Sequence, residues 1–245
     1  MVTTELKILI VFPCYNEEFR LPVEEFNNFI LKNQTIDFLF VNDGSKDKTI
    51  DILNELSLNN TNASVLNLTK NVGKAEAVRA AMLSKESQKY NYIGYFDADL
   101  AAPLSEIHNL ISNGNINANP FLIMGSRIKL LGFSSIKRDL KRHYLGRIFA
   151  TIVSNMLKLS VYDTQCGAKL IRTDISQKIF KEPFISKWLF DVELLFRVKK
   201  TEKLKENSIV EVPLKQWEEK GGSKIKKSYL LKVPIELIRI YLKYR

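Results

Sequence analysis

The sequence predicts an α/β fold: a mostly parallel central sheet with helices on both faces, followed by a C-terminal amphipathic helical segment. Two observations carry this. Short apolar runs alternate with helix-spaced segments through the first half, the order expected of parallel strands joined by crossover helices. Each apolar run also ends in a polar cluster rich in Asp, Asn, Gly or Glu, and open α/β sheets bind ligands beyond the carboxyl ends of their strands.

The elements follow in order. Lys7 to Phe12 reads as a buried strand, and Val23 to Asn33 as a helix with Val23, Phe26, Phe29 and Ile30 on one face. Phe38 to Val41 is the second strand. Asp47 is placed to cap a helix carrying Ile50, Leu53 and Leu56. Val65 to Leu68 is the third strand, and the Ala-rich stretch Ala75 to Ser84 a helix. Tyr92 to Phe96 is the fourth strand and Phe121 to Met124 the fifth, separated by an Asn-rich loop, Asn113 to Pro120.

The second half is more basic. A run from Lys137 to Arg147 contains His143. It leads into an amphipathic helix with Ile148, Ile152, Val153, Met156 and Leu157 on one face. At the C-terminus, Pro234 suits a first helical position, and Ile235, Leu237, Ile238, Tyr241 and Leu242 form a stripe. Both helices fit either a core-facing role or contact with a membrane interface.

Composition narrows the function. The 245 residues suit one large α/β domain or a domain with a small appendage. Two cysteines, Cys14 and Cys166, make no disulfide scaffold and read as packing residues. No signal peptide or run of 18 uncharged apolar residues appears, so a cytosolic protein with reduced thiols is expected. The net charge of +10 favours an anionic partner: nucleic acid, an anionic membrane or a phosphorylated substrate. No recognisable nucleic-acid-binding motif accompanies that charge, so no nucleic-acid partner is expected.

The chemistry concentrates at strand ends. Asp97 and Asp99 follow the fourth strand, separated by Ala98. Two such close carboxylates suit a hard divalent cation such as Mg²⁺ that also holds a diphosphate, although Asp-x-Asp alone also fits a solvated turn. Pro13-Cys14-Tyr15-Asn16-Glu17 and Asn42-Asp43-Gly44-Ser45 end the first two strands, where Glu17 or Asp43 can meet a base or ribose. Lys70-Asn71-Val72-Gly73-Lys74 precedes a helix and suits an anion. Neither a dinucleotide-binding fingerprint nor a P-loop is present, so a nucleotide must be held another way.

Taken in order, these four clusters resemble glycosyltransferase family 2, whose catalytic domain has the GT-A fold. Gly125-Ser126-Arg127, Asp163-Thr164-Gln165-Cys166-Gly167-Ala168-Lys169-Leu170, Trp188 to Leu195 and Trp217-x-Glu219-x-x-Gly222-Ser223-Lys224 sharpen the match. They resemble the dolichyl-phosphate β-glucosyltransferases, with dolichyl-phosphate mannose synthases next. Ala101 stands where mannose synthases often carry Gln, which leans toward the glucosyl branch, and Ala168 stands where an aromatic is common.

The resemblance implies a GT-A domain over residues 1–224 and a basic, membrane-associating segment over 225–245. It implies inverting transfer of a hexose, glucose from UDP-glucose first, to a polyprenyl phosphate at the cytoplasmic face of the membrane. The rival readings are transfer to a glycan hydroxyl, or of mannose from GDP-mannose. By position, Asp97 and Asp99 hold Mg²⁺ or Mn²⁺ on the donor diphosphate. Pro13, Tyr15, Glu17, Asp43, Gly73, Lys74 and Lys224 contact the nucleotide sugar. Arg127, Arg142 and Lys169 contact acceptor or donor phosphate. Asp191 joins Asp97 and Asp99 as a catalytic candidate, with base, orienting and ion-pairing roles all open; Asp163 and Glu193 are similarly ambiguous. A phosphate monoester has a second pKa near ~6 and needs no general base.

Overall fold

The computed structural model describes residues 6–84, 86–221 and 232–245. In chain order it places β1 (Ile8–Cys14), α1 (Val23–Lys32), β2 (Ile36–Asp43), α2 (Thr49–Asn59), β3 (Ala63–Leu68) and α3 (Lys74–Met82). Next come β4 (Tyr92–Phe96), α4 (Ser105–Asn113), β5 (Leu122–Ser126), β6 (Ser135–Lys137) and α5 (Leu140–Leu157). The remainder is β7 (Ala168–Arg172), α6 (Thr173–Ile179), α7 (Phe190–Thr201), β8 (Ile209–Pro213), β9 (Gln216–Glu218) and α8 (Val233–Tyr244). Among the described residues, seven strands form one sheet in the order β3-β2-β1-β4-β7-β5-β8, and β6 pairs with β9 apart from it.

The sheet is parallel except at β7, which runs antiparallel to both β4 and β5. Alternate residues of each strand enter opposite cores, as the two-residue strand period requires. Leu9, Val11, Leu39, Val41, Ile93 and Tyr95 pack with α3, α6 and α7. Ile8, Ile10, Phe12, Phe38, Phe40 and Phe96 pack with α1, α2 and α4. Phe12 anchors the second core, with Phe26 edge-on at 4.9 Å and Phe40 stacked at 5.4 Å.

The register fixes the site. Cys14 pairs with Asn42, Asp43 with Leu68 and Val11 with Tyr95. The ends of β1, β2, β3 and β4 therefore share one edge, and Asp97 leaves the sheet level with Pro13. The N-cap of α2 is Lys48 rather than the expected Asp47, which lies one residue earlier and whose Oδ1 accepts from the Thr49 N–H at 3.1 Å.

Two of the segments named from the sequence differ in the structure. The basic run is helical from Leu140 on, since α5 begins there and Asp139 accepts from the Arg142 N–H at 3.1 Å. On α5, Val153 and Leu157 are buried while Ile148 and Ile152 are exposed, so the expected apolar face is split between core and surface. The Asn-rich loop holds a 3-10 turn, Ile116–Ala118, bracketed by Asn115 and Asn119 in the left-handed region.

Candidate active site

Three turns meet at the carboxyl edge. The buried Asp43 accepts from the N–H groups of Val72 (2.7 Å) and Gly73 (2.9 Å) and from the Asn71 amide (3.1 Å). It thereby ties the end of β2 to the turn before α3. Gly44 makes this approach possible: its φ is +62°, and a Cβ there would overlap the backbone of Lys70 and Asn71. Glu17 is buried beside it; its N–H donates to Thr49 Oγ1 at 2.8 Å and Arg20 lies 3.6 Å from its carboxylate. Pro13 and Tyr15 at the end of β1, Asp43 at the end of β2, and Gly73 and Lys74 at the start of α3 all lie along this edge. Asp43 additionally organises the turn from within.

The carboxylate pair stands at the centre of this edge. Asp97 is ion-paired with Lys74. Asp99 lies 3.5 Å from Arg20 and accepts from the Ala101 N–H at 3.1 Å. Burial, reinforced by the neighbouring Asp97 charge, pushes the Asp99 carboxyl above its ordinary value. Burial opposes the Lys74 charge, but Asp97, Asp191 and Asp99 outweigh it and hold its ammonium above the ordinary value. Antiparallel β7 enters beside the pair, with Phe96 opposite Ala168. Gly167 therefore lies against Asp97, and a Cβ there would overlap the carboxylate.

Across from the acids is an arginine wall. Arg127 leaves β5 and grips Asp163 through its backbone N–H (3.0 Å), Nε (2.6 Å) and Nη2 (2.8 Å), with Trp217 under the guanidinium at 5.2 Å. Burial opposes the Asp163 charge, but Arg127 dominates and holds that carboxyl below its usual range. Arg142 is ion-paired with Glu219. Between them sits Arg138, half-buried, with no hydrogen bond or ion pair among the described residues. Burial and then the Arg127 charge lower its pKa, outweighing the opposing pull of the Asp163 carboxylate. Nothing in the spacing of the run 137–147 singles out Arg138, nor does sequence point to Arg20 as a partner of Asp99.

The two walls enclose a cavity of about 170 Å³, with Trp217 and Glu219 also lining it. Arg127, Arg138 and Arg142 also border a groove of about 1090 Å³, whose far walls include Leu145, Phe149, Tyr162, Trp188 and Val233.

Lys169 is elsewhere. The sequence expected it at a phosphate, but its side chain is fully buried in β7. The ammonium donates to the Thr164 carbonyl (3.2 Å), the Cys166 carbonyl (2.6 Å) and Asp191 (2.6 Å). The hydroxyl of Tyr95, opposite Lys169 in register, donates to the same Asp191 oxygen. Of the roles open to Asp191, the structure displays the ion pair. Lys169 in turn clasps the 164–166 carbonyls and so positions Gly167 against Asp97. Glu193 is likewise buried and paired with Arg197 at 2.7 Å. Lys224 lies outside the described residues.

Residues 9–180 match the model of Glycosyl transferase family 2. This chain belongs to that family. It is similar to a dolichyl-phosphate beta-glucosyltransferase of Trichomonas vaginalis, 31% identical over 253 residues that cover 98% of this chain and 75% of the relative. The dolichyl-phosphate beta-glucosyltransferase of Mus musculus is 32% identical over 205 residues, covering 78% of this chain and 62% of its own. The fold is similar to glucosyl-3-phosphoglycerate synthase from Mycobacterium tuberculosis, solved with uridine diphosphate. The TM-score is 0.68 and the identity 16%, over 98% of this chain and 80% of that one. The family member described here is thus a glycosyltransferase with the GT-A architecture.

Proposed function

We propose that this chain transfers glucose from UDP-glucose to a polyprenyl phosphate, with inversion at the anomeric carbon. The observation that carries the reading is the junction of the two cavities. An acidic wall fit for a metal diphosphate faces arginines, which open onto a long groove with apolar walls. The relatives named as dolichyl-phosphate beta-glucosyltransferases support the same donor and acceptor classes.

The residues fit a divalent cation. Asp97 and Asp99 offer hard oxygen donors of the kind Mg²⁺ and Mn²⁺ take, and Gly167 leaves room against Asp97 that any other side chain would fill. When bound, the cation supplies charge that stabilises the departing diphosphate. The turns of Pro13, Tyr15, Glu17, Asp43 and Gly73 hold the nucleoside side, and Lys74 is set to move from Asp97 to a phosphate oxygen. Lys224 is assigned to the donor through its motif alone.

On the acceptor side, Arg138 meets the lipid phosphate, with Arg142 and Arg127 around it. An acceptor oxygen forms the new bond to the anomeric carbon. The bond from that carbon to the diphosphate breaks, and its electron pair leaves with UDP. No proton need be removed from the acceptor, since a phosphate monoester is already anionic at neutral pH. The pairing of Asp191 with Lys169 and of Glu193 with Arg197 accords with a site that needs no carboxylate base. The cationic wall offsets repulsion between acceptor and donor.

No helix among the described residues is long and apolar enough to cross a membrane. A peripheral encounter at the cytoplasmic face, aided by the segment 225–245, brings the enzyme to its lipid. The test is a panel of UDP-glucose and GDP-mannose against short polyprenyl phosphates and a glycan acceptor, with Mn²⁺ or Mg²⁺, scored by labelled sugar entering organic solvent. UDP-glucose with polyprenyl phosphate should give the labelled lipid. Transfer only to the glycan hydroxyl would overturn the reading.

A further inference from the structure

The basic second half displays an apolar surface that the catalytic site does not use. Between β5 and β6 the chain makes a tight turn whose tip is Leu130-Leu131-Gly132-Phe133. Leu131 is 98% exposed and Phe133 58%. The turn is built to present them. The Ser134 hydroxyl accepts from the Leu130 N–H (2.8 Å) and donates to the Ile128 carbonyl (3.0 Å). The Phe133 N–H donates to the Leu130 carbonyl at 3.2 Å, and Gly132 takes a φ of +73°. Among the described residues, a Cβ at Gly132 would meet nothing within 4 Å.

Helix α5 continues this surface. Leu140, Tyr144, Ile148 and Ile152 recur every four residues along one row, and all four are exposed. Loop and helix border the same groove, since Ile128 and Lys129 line it together with Leu145 and Phe149. From Lys129 to Lys158 the sequence holds seven Lys and Arg and a single acid, Asp139; Lys129, Arg147 and Lys158 are exposed. Apolar side chains set among cations match an anionic bilayer: the side chains enter the headgroup–acyl boundary while the cations meet lipid phosphates. A protein partner would cover the row without calling for so one-sided a charge.

We propose that the 130–133 tip and the outer row of α5 form the membrane-docking surface, seating the mouth of the groove on an anionic lipid bilayer. The choice of a bilayer rests on the polyprenyl-phosphate reading, because that acceptor resides in one. Docking there would let the acceptor pass from the lipid into the groove without crossing water.

The experiment compares wild type, L131S/F133S and the control L58S, an exposed leucine on α2, in co-sedimentation with phosphatidylcholine vesicles with and without phosphatidylglycerol. Wild type and L58S should bind the anionic vesicles more tightly than the neutral ones, and L131S/F133S should lose about tenfold or more of that binding. An F133C variant carrying an environment-sensitive dye should shift its emission to the blue on those vesicles; Cys14 and Cys166 are buried and leave the label selective. All three proteins should transfer glucose equally to a short polyprenyl phosphate in detergent. Undiminished vesicle binding by L131S/F133S, equal loss in L58S or an unmoved dye would overturn the docking surface. So would loss of detergent activity in L131S/F133S alone. Absence of transfer in detergent by wild type would count against the function instead, so the two failures are distinguishable.

Discussion

Lys169 sits in the middle of a strand with no exposed surface, and its charge is met by Asp191 and two carbonyls. Removing one partner of such a pair leaves the other buried and uncompensated, at a cost of roughly 3–5 kcal/mol. Asp191→Asn should therefore lower the thermal midpoint sharply without creating a new limb in the pH–rate profile, whereas loss of a general base would reshape that profile. Replacing both partners, K169M with D191L, should recover stability relative to either single change, as measured by urea unfolding. Arg138 makes the opposite case, a cation with no hydrogen bond or ion pair among the described residues, which feels the Asp163 charge only at a distance. Arg138→Ala should raise the KM for polyprenyl phosphate about tenfold or more, the scale of a lost charge-assisted hydrogen bond. The KM for UDP-glucose should stay near its original value; unchanged acceptor kinetics would remove Arg138 from the acceptor site.

At the scale of elements, the parallel half was legible because its strands are continuous apolar runs and its turns carry distinctive residues. Tyr92–Phe96 falls where periodicity puts it, while β2 runs on two residues past Val41 to Asp43 before Gly44 turns the chain. Strand β7 was hidden because Lys169 interrupts an otherwise apolar five-residue segment, Ala168–Arg172. Its burial depends on Asp191, 22 residues away, which no local pattern encodes. The same limit explains Arg20 and Arg138, whose importance comes from neighbours remote in sequence. It also explains α5: helical spacing located the apolar residues but not which of them the core would take. Gly44 gives an element-level prediction. Gly44→Ala must strain a left-handed backbone and push Lys70–Asn71 away, costing about 1–3 kcal/mol. UDP binding measured by calorimetry should weaken with it, because Asp43 loses its hold on the turn before α3.

Across the whole molecule, charge is distributed by task. The acids cluster at the parallel strand ends and the excess cations gather in the second half, so a net charge of +10 coexists with an acidic pair at the site. Acid stability follows from the pairing. Asp163 has a lowered pKa in the folded chain, chiefly through Arg127 acting against burial. Its contribution is complete above the unfolded value of about 4 and is lost as pH falls below it, through the lower folded value. Thermal midpoints of wild type should thus drop steeply below about pH 4, whereas Asp163→Asn should start lower and fall less steeply over that range. The central claim is that Asp97 helps hold the cation under a leaving diphosphate while a lipid phosphate attacks. Mass spectrometry of the organic-soluble product from UDP-glucose, polyprenyl phosphate and Mn²⁺ tests it most directly, with wild type beside Asp97→Asn. Wild type should give a hexosyl polyprenyl phosphate, abolished by EDTA and by Asp97→Asn; equal product from Asp97→Asn, or none from wild type with any divalent cation, would contradict that role of Asp97.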